Sequence, residues 1–365
     1  MFVYPKNYQD SKIQLQEKIK ELKTNGFTVF TSKEMVVENL SIDKITIKSK
    51  KATKNRIILN AGLHGIEGYV GHSCMITFLD EFLPTLKEDT EVILYHVLNP
   101  FGMYHFRRTN ENNVDLNRNF SKNNFTSENP GYDKIKDFFI PKKLSNKLTA
   151  NSKYYAALVN MIRKHGIPAL NEGVLLGQRV QDNGLYYSGT EYQRSTNYIF
   201  KEAPKNVKDV KTCVWIDLHT GYGPRFQMSI VNSRYEKLST EDMIDKINYP
   251  LILGLNKDDF YEIDGDMIEK IYDIHAGIKS KTDLYATCFE FGTLGDKTKN
   301  TIESLKAMVF DNNCFFEEQS DKMKAYSKKL IKEQFLPSAE NWRIKAYVDF
   351  KQAISGILTY KKLVK

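Results

Sequence analysis

The sequence predicts an α/β protein built on an open sheet of mixed or parallel strands. Short apolar, β-branched segments alternate along the chain with segments whose apolar residues recur at helical spacing. Polar residues cluster directly after several predicted strands, where open α/β sheets bind their ligands. With 365 residues, 41% of them hydrophobic and 27% charged, the chain can bury a core without disulfide bonds.

The first hundred residues contain one helix and a series of strands. Ser11 is the predicted N-cap of the helix, Gln14 completes a capping box, and Gly26 ends it. The elements predicted after it are strands at 35–49, a buried strand at 56–60, a glycine-dotted turn, a helix through Met75 and Phe82, and a buried strand at 91–98.

The remainder begins with a polar, irregular stretch at 101–152. The elements predicted after it are a helix at 152–165 stopped by Gly166, strands at 212–218, 226–231 and 283–291, a helix at 300–310, and amphipathic helices through the last 60 residues. Neither repeats nor low-complexity tracts mark a domain boundary.

Charge and hydropathy exclude several kinds of partner. The net charge is +8, but the lysines are spread over the chain, so we expect no nucleic-acid binding; acidic substrates remain open. No apolar run reaches the roughly 18 residues of a membrane span, and the N-terminus lacks an apolar signal core. We therefore expect a cytoplasmic protein with no membrane segment.

Four cysteines, at 74, 213, 288 and 314, form no CxxC pair. This pattern argues against a disulfide framework, an iron–sulfur site or a zinc ribbon. Cys74 and Cys288 lie in apolar stretches and are expected to be small buried thiols. A catalytic cysteine with a histidine partner is the alternative.

A candidate metal site combines His64 and Glu67 with His219. The first two lie three residues apart in a glycine-rich turn after a strand, and His219 ends the strand TCVWIDL. Imidazole and carboxylate are good zinc ligands, and a catalytic zinc typically has three protein ligands. Asp217, two residues before His219, could orient an imidazole or could be an ordinary paired carboxylate. Packing or surface positions are expected for the other histidines, at 72, 96, 105, 165 and 275.

A second candidate cluster lies in the polar stretch. Arg107 and Arg108 precede Asn117 and Arg118 by about ten residues. Guanidinium groups bind carboxylates through two parallel hydrogen bonds, so the cluster fits an anionic substrate group or a developing oxyanion. A solvated basic loop is the alternative. Asp115 is expected to pair with one of these arginines.

Glu290 places a carboxylate inside the apolar strand CFEFG. A buried carboxylate is costly unless it is paired or functional. An apolar setting raises its pKa, which suits a general base and acid near neutral pH. A glutamate that faces solvent at a strand end is the alternative.

Taken together and in order, these motifs resemble the zinc metallocarboxypeptidase family. HGIE at 64–67, NP at 99–100, DLNRNF at 115–120, DLHTG at 217–221 and EFGT at 290–293 are similar to family phrases. The resemblance covers about residues 55–300 and is nearest to an uncharacterised bacterial branch; the aspartoacylase and succinylglutamate desuccinylase branch is related. It implies a three-layer α/β/α fold with a central mixed sheet. Because no domain boundary is marked in the sequence, we expect one catalytic domain over 1–365, with a core at about 40–310 and a helical segment at 311–365.

The resemblance also implies residue roles. His64, Glu67 and His219 would bind one zinc ion per chain, and Glu290 would activate the attacking water and protonate the leaving amine. Arg108, with Arg107 as competitor, would stabilise the oxyanion. The implied substrate-binding residues are Asn117 and Arg118 as a clamp for the terminal carboxylate, together with Arg107 and Tyr187.

Two parts of the family pattern cannot be placed by motif. Its substrate-facing tyrosine could be Tyr186, Tyr187, Tyr261 or Tyr285, and we select Tyr187 because GLYYSG at 184–189 resembles a loop of the bacterial branch. The residue that reads the substrate side chain is not identifiable. The expected substrate is therefore a peptide or an N-acyl amino acid with a free carboxylate. The sequence gives no indication of the protein's oligomeric state. A carboxypeptidase is the first hypothesis, a deacylase the second, and a catalytically silent binding protein the third.

Overall fold

The strands of the protein form one mixed sheet in a computed structural model that describes residues 1–122, 125–254 and 264–365. Within these ranges the strands are β1 (Val29–Val37), β2 (Leu40–Ile47), β3 (Asn55–Ala61), β4 (Thr90–His96), β5 (Thr212–Thr220), β6 (Met228–Asn232), β7 (Ile252–Gly254) and β8 (Asp283–Phe291). Their order across the sheet is β1-β2-β4-β3-β5-β8-β6-β7.

Helices connect the strands and extend the chain beyond the last one. Single 3₁₀ or π turns aside, the helices of the described residues are α1 (Tyr8–Thr24), α2 (Gly68–Thr77), α3 (Pro100–His105), α4 (Pro130–Ile135), α5 (Lys147–Leu175), α6 (Arg194–Asn206), α7 (Thr240–Ile247), α8 (Met267–Gly277), α9 (Thr298–Phe316), α10 (Asp321–Phe335) and α11 (Glu340–Tyr360). No helix among these residues is both long and apolar enough to span a lipid bilayer.

The centre of the sheet is parallel. Strands β4, β3, β5 and β8 run in one direction, while β2 joins β4 and β6 joins β8 in the antiparallel sense. Every residue of β4 and β5 is buried, as expected for strands covered on both faces. The carboxyl ends of four strands therefore meet at one edge, where a ligand site can form.

Hydrophobic clusters cover both faces of this sheet. Alternate residues of β3 divide between them: Ile57 and Leu59 pack with α1, α2, α7 and α11, whereas Ile58 packs with α6 and α8. A third cluster joins α4, α5, α9 and α10 beside the sheet. The predicted three-layer α/β/α fold with a central mixed sheet is confirmed.

Several predicted boundaries are wrong for identifiable reasons. Helix α1 begins earlier than predicted because Asn7, and not Ser11, caps it by accepting from the backbone N–H of Asp10. Gly166 adopts a non-helical φ of 80° but only interrupts α5, which resumes and continues to Leu175. The polar stretch after residue 100 contains α3 and α4, whose asparagine caps and N-terminal prolines outweigh their weak periodicity.

Candidate metal centre

The turn after β3 carries His64 and Glu67. Its backbone is fixed by the loop that carries Arg107 and Arg108, called the arginine loop below. The N–H groups of Gly65 and Ile66 donate to the carbonyls of Arg108 and Arg107 at 3.1 and 2.8 Å. A Cβ on Gly65 would lie 2.3 Å from the backbone of Gly102 in α3, so only glycine permits this approach. The fold therefore builds the turn and the arginine loop as one unit.

Strand register brings His219 and Glu290 to the same place. His219 lies on β5 and is the direct register partner of Glu290 on β8. Because β3, β5 and β8 are parallel neighbours, the turn after β3 lies beside both residues. Sheet pairing thus brings Glu67 and His219 together although they are 152 positions apart in the sequence. Thr220, next to His219, donates its N–H to Glu67 Oε2 at 2.9 Å.

His64, Glu67 and His219 converge on one point with the chemistry of a cation site. One potential ligand atom from each lies within 4.8 Å of the other two. His219 Nδ1 lies 3.2 Å from His64 Nδ1 and 3.0 Å from Glu67 Oε2. Two imidazole lone pairs and a carboxylate at such distances repel one another unless a positive charge lies between them. This donor set fits a zinc ion.

Both imidazoles are oriented by a carboxylate on the far nitrogen. His64 Nε2 lies 3.0 Å from Asp115 Oδ1, and His219 Nε2 lies 2.7 Å from Asp217 Oδ2. Such partners hold the proton on Nε2 and leave the Nδ1 lone pair for a cation. The prediction that Asp217 orients an imidazole agrees with this geometry.

Charges inside the cluster are strongly coupled. Burial by itself would raise the pKa of Glu67, but the His64 and His219 imidazoles outweigh it and lower that pKa to about 2. Burial opposes protonation of His219, yet Asp217 and Glu67 raise its pKa well above the usual value. The centre therefore stabilises a positive charge.

Arg108 lies against the cluster of candidate ligands His64, Glu67 and His219. Its Nε donates to Asp115 Oδ2 at 3.1 Å, and one of its Nη atoms lies 3.6 Å from Glu67 Oε1. Asp115 also accepts from His64, so one carboxylate positions both the arginine and a candidate ligand. The expected pairing of Asp115 with an arginine is present.

Arg107 is directed away from the cluster. Its guanidinium donates to Thr109 and Asn113, lies 3.5 Å from Asp311, and stacks 3.6 Å from the centre of the Phe315 ring. These contacts place the Arg107 side chain between the arginine loop and α9. Of the two arginines, Arg108 is therefore the one that lies beside the candidate ligands.

Asn117 and Arg118 are both engaged by neighbouring elements. Asn117 donates to Asp266 at 3.0 Å and accepts from the N–H of Met267 at 3.0 Å, at the start of α8. Arg118 is buried and donates to the carbonyl of Leu175 through Nε. The predicted substrate-clamp role of both residues stays a prediction, and substrate would have to replace or share these contacts.

Glu290 lies at the end of β8 beside the cluster. Its Oε1 accepts the backbone N–H of Tyr222 at 2.9 Å. Burial, and then the nearby charge of Glu67, raise the pKa of Glu290 to about 8, against the opposing effects of His219 and Arg108. A carboxylate with this pKa can both accept and return a proton near neutral pH.

The tyrosine that faces the arginines is Tyr186. Its buried ring lines a recess together with Arg108, and burial raises its pKa to about 12 although Arg108 and Arg118 oppose the shift. Tyr187 instead packs against the hydrophobic cluster beneath α6 and α8. The adjacent residues thus face in different directions, and the geometry favours Tyr186 over the selected Tyr187.

The other tyrosine candidates differ in position. Tyr285 is fully buried in the core and donates to Asn232 at 2.8 Å, so its hydroxyl is already engaged. Tyr261 lies outside the described residues. Tyr222, which the sequence analysis missed, is 60% exposed on the loop that follows His219.

The C-terminal helices anchor the loops that carry the site. The carbonyl of Phe335, at the end of α10, accepts from the Thr220 hydroxyl at 2.6 Å, and the Trp342 indole donates to the carbonyl of Gly292 at 2.8 Å. The Phe335 ring also lies 5.9 Å from the Arg108 guanidinium carbon. Sequence analysis missed Phe335 and Trp342 because they lie outside every motif.

The remaining histidines and cysteines do not extend the site. Within the described ranges, no other group of three His, Cys, Asp or Glu residues converges as His64, Glu67 and His219 do. His72 and His96 form a buried pair at 3.0 Å. Cys74 is a buried thiol as predicted, whereas Cys288 is only partly buried. Desolvation still raises the pKa of the Cys288 thiol well above its usual value, which disfavours a thiolate nucleophile.

The chain is similar to several solved structures at low sequence identity. Bovine thrombin-activatable fibrinolysis inhibitor, in complex with tick carboxypeptidase inhibitor, is 15% identical, with 98% of each chain covered and a TM-score of 0.51. A second structure of that inhibitor is 14% identical, covers 97% of this chain and 74% of its own, and has a TM-score of 0.50. Succinylglutamate desuccinylase from Chromobacterium violaceum is 12% identical over 88% and 74% of the two chains, with a TM-score of 0.37.

The first two comparisons confirm the predicted carboxypeptidase-like fold. A comparison with curated proteins finds no significant match. A family model described as "Protein of unknown function (DUF2817)" matches residues 4–349. Because this match spans nearly the whole sequence, the chain belongs to the DUF2817 family.

Proposed function

We propose that this protein is a zinc-dependent hydrolase that cleaves the C-terminal amide bond of a peptide. The observation that carries the proposal is the convergence of His64, Glu67 and His219 within 4.8 Å, beside Glu290. We further propose that the whole chain forms one catalytic domain, because α10 and α11 anchor the loops of the site.

His64, Glu67 and His219 would hold one zinc ion per chain. When bound, zinc supplies Lewis acidity to the scissile carbonyl and to the attacking water. The protein's contribution is to keep both imidazoles in the tautomer with a free Nδ1, which Asp115 and Asp217 do.

Glu290 would move the proton. As the water oxygen bonds to the carbonyl carbon, Glu290 accepts a proton from that water, and it returns the proton to the nitrogen as the C–N bond breaks. Its burial supports this role, because desolvation favours the protonated form of a carboxyl group and so lets it hold the proton between the two steps. The Tyr222 N–H holds one carboxylate oxygen and leaves the other for the water.

Arg108 would stabilise the oxyanion that forms on the carbonyl oxygen. Its guanidinium is fixed by Asp115 and lies 3.6 Å from Glu67 Oε1, so it is oriented before substrate arrives. A preorganised donor of this kind contributes about 3–4 kcal/mol to transition-state stabilisation. Arg107, stacked on Phe315, supports the loop.

Substrate binding would use the arginines behind the centre. We propose that Arg118, with Asn117 beside it, receives the free carboxylate of a peptide. Tyr186 would cover that group, because its hydroxyl lies in the field of both Arg108 and Arg118. Tyr187 would then support the loop from the opposite side.

An N-acyl amino acid deacylase is the second candidate, since a small amide with a free carboxylate would use the same residues. The recess behind Arg108 has a volume of only about 20 Å³, room for about one water molecule, so a small acyl group would require less rearrangement there than a peptide side chain. A screen of peptides and N-acyl amino acids, with detection of the released amino acid, separates the two. A catalytically silent binding protein, the third candidate, would turn over none of them.

Metal content tests the first part of the proposal. Purified protein should bind about one zinc per chain, and His64→Ala and His219→Ala should lose it while the fold is kept. His165→Ala, a histidine outside the cluster, is the matched control and should retain zinc. Folded wild-type protein that binds no zinc would refute the metal site.

Glu290→Gln tests the proton-transfer role. The variant keeps its shape and should retain zinc, yet lose turnover by at least 10²-fold, because general acid–base catalysis contributes about that much or more. Glu303→Gln on α9, which removes an ordinary surface carboxylate, should leave turnover unchanged. Full activity of Glu290→Gln would exclude Glu290 from the mechanism.

A further inference from the structure

A line of buried hydrogen bonds leads to His219 along one face of the sheet. Trp215, Asp217 and His219 are alternate residues of β5, so their side chains share a face. Asn60 of β3 is the direct register partner of Asp217 and faces the same side. The Trp215 indole donates to Asn60 Oδ1 at 2.7 Å, Asn60 Nδ2 donates to Asp217 Oδ1, and Asp217 Oδ2 lies 2.7 Å from His219 Nε2.

The chemistry of the groups fixes the direction of every bond in this line. An indole N–H can only donate, so it selects the oxygen of the Asn60 amide. The NH₂ group of Asn60 must then face Asp217, which as a carboxylate only accepts. His219 consequently donates from Nε2 to Asp217, and its Nδ1 faces His64 and Glu67, where a bound cation would take the place of a proton.

Burial prevents water from substituting for these partners. Asn60 and Trp215 are 0% exposed, and Asp217 and His219 are 1% and 3% exposed. A buried polar group that loses its partner costs about 1–3 kcal/mol, more when it is charged. Removing the Asn60 amide would leave a buried oxygen of Asp217 without its donor, and the carboxylate could turn away from His219.

The other candidate ligand is held differently. Asp115, the carboxylate behind His64, also accepts from the charged Arg108 and from the backbone N–H of Asn117. Among the described contacts, Asp217 has Asn60 as its one donor besides His219. The orientation of His219 therefore depends on a single neutral amide.

We infer that Asn60 is a positioning residue of the metal centre, and that Trp215 sets the orientation of its amide. Through Asp217, this pair holds His219 in the tautomer and ring orientation that bind a cation. The inference rests on the metal site of the proposed function. It adds two residues that belong to none of the motifs.

Zinc affinity tests the inference without an activity assay. Dissociation constants would be measured by chelator competition for the wild type, Asn60→Leu, Asn60→Asp and Trp215→Phe. Both Asn60 variants remove the donor to Asp217 at similar side-chain size, and affinity should fall about 10–100-fold, as for other partners of ligating residues. Trp215→Phe should have a smaller effect of the same sign, because the amide is then free to rotate.

Asn206→Leu is the matched control, since Asn206 is a buried amide that donates to Tyr95 and not to the metal cluster. It should lower the melting temperature of the metal-free protein and leave zinc affinity within twofold of wild type. The visible spectrum of Co²⁺-loaded protein gives a second readout, which should shift in the Asn60 variants and not in the control.

The outcomes separate the two proposals. Wild-type protein that binds zinc, with unchanged affinity and Co²⁺ spectrum in Asn60→Asp and Asn60→Leu, would overturn the inference and leave the metal site standing. Failure of wild-type protein to bind zinc or Co²⁺ would overturn both. If Asn60→Leu does not fold, the isosteric Asn60→Asp decides the question by the same measurements.

Discussion

Mild acid should destabilise the folded chain through a buried histidine pair outside the candidate site. His72 of α2 and His96 of β4 lie 3.0 Å apart, and Gln14 of α1 lies 3.1 Å from the second nitrogen of His72. Both rings are 0% exposed. Burial, reinforced by Lys12, lowers the pKa of His96 to about 4. Burial and His96 lower that of His72 well below its usual value, against the opposing charge of Asp10.

The sign follows from proton binding in the two states. An unfolded histidine has a pKa of about 6.5, so below that pH the unfolded chain binds protons that the folded chain excludes. Above pH 6.5 neither state is protonated and stability is unaffected. As the pH falls from 6.5 towards 4 the folded state loses stability. For His96 alone the loss amounts to about 2 kcal/mol at pH 5.

Urea denaturation of metal-free wild type and His96→Gln at pH 7.5 and pH 5 measures this loss. The variant keeps a polar side chain and lacks the titration, and the shared acidic groups and the histidines outside the pair cancel in the difference. His72 loses the part of its pKa shift that His96 causes, which acts in the same direction. The stability of wild type relative to the variant should fall by about 2 kcal/mol between the two pH values. A difference that stays constant within about 0.5 kcal/mol, near the precision of such comparisons, would refute the reasoning.

Three further perturbations have defined outcomes. Gly65→Ala places a methyl group 2.3 Å from the backbone of Gly102, and should cost about 1–3 kcal/mol of unfolding free energy and weaken zinc binding; an unchanged melting curve would contradict it. Trp342→Phe removes the indole donor to the carbonyl of Gly292 and should cost about 1–3 kcal/mol by urea denaturation; an unfolding free energy equal to that of wild type would contradict it. Chelation of the zinc should lower the melting temperature, since a ligand at 100 times its Kd adds about 2.7 kcal/mol; identical melting with and without chelator would argue against a bound ion.

Residue types and their spacing were enough to predict an open sheet of mixed or parallel strands and to single out the three candidate ligands. Strands such as β5 are apolar throughout because they are covered on both faces, and that pattern is local. His219 and Glu290 follow such runs, so their place at the carboxyl edge could be predicted before their distance was known. The start of α1 could not be predicted from the sequence, because Asn7 and Ser11 are both residue types that commonly cap helices.

Contacts between distant segments carry no such local pattern. Arg107 and Arg108 are adjacent and chemically identical, yet one stacks on Phe315 of α9 and the other reaches Asp115. Tyr186 and Tyr187 are likewise adjacent, yet they pack into different hydrophobic clusters, which only the packing of distant segments decides.

The sequence by itself determined the α/β class, the ligand types and the order of the motifs, since each depends on short-range patterning. The tertiary structure decided which arginine and which tyrosine face the candidate site, and it joined Asn60 to His219 through Asp217. That hydrogen-bonded line exists because β3 and β5 pair in a register that places Asn60 opposite Asp217. Pairing of strands some 150 residues apart is fixed by how the whole sheet packs, which no local pattern of residues records.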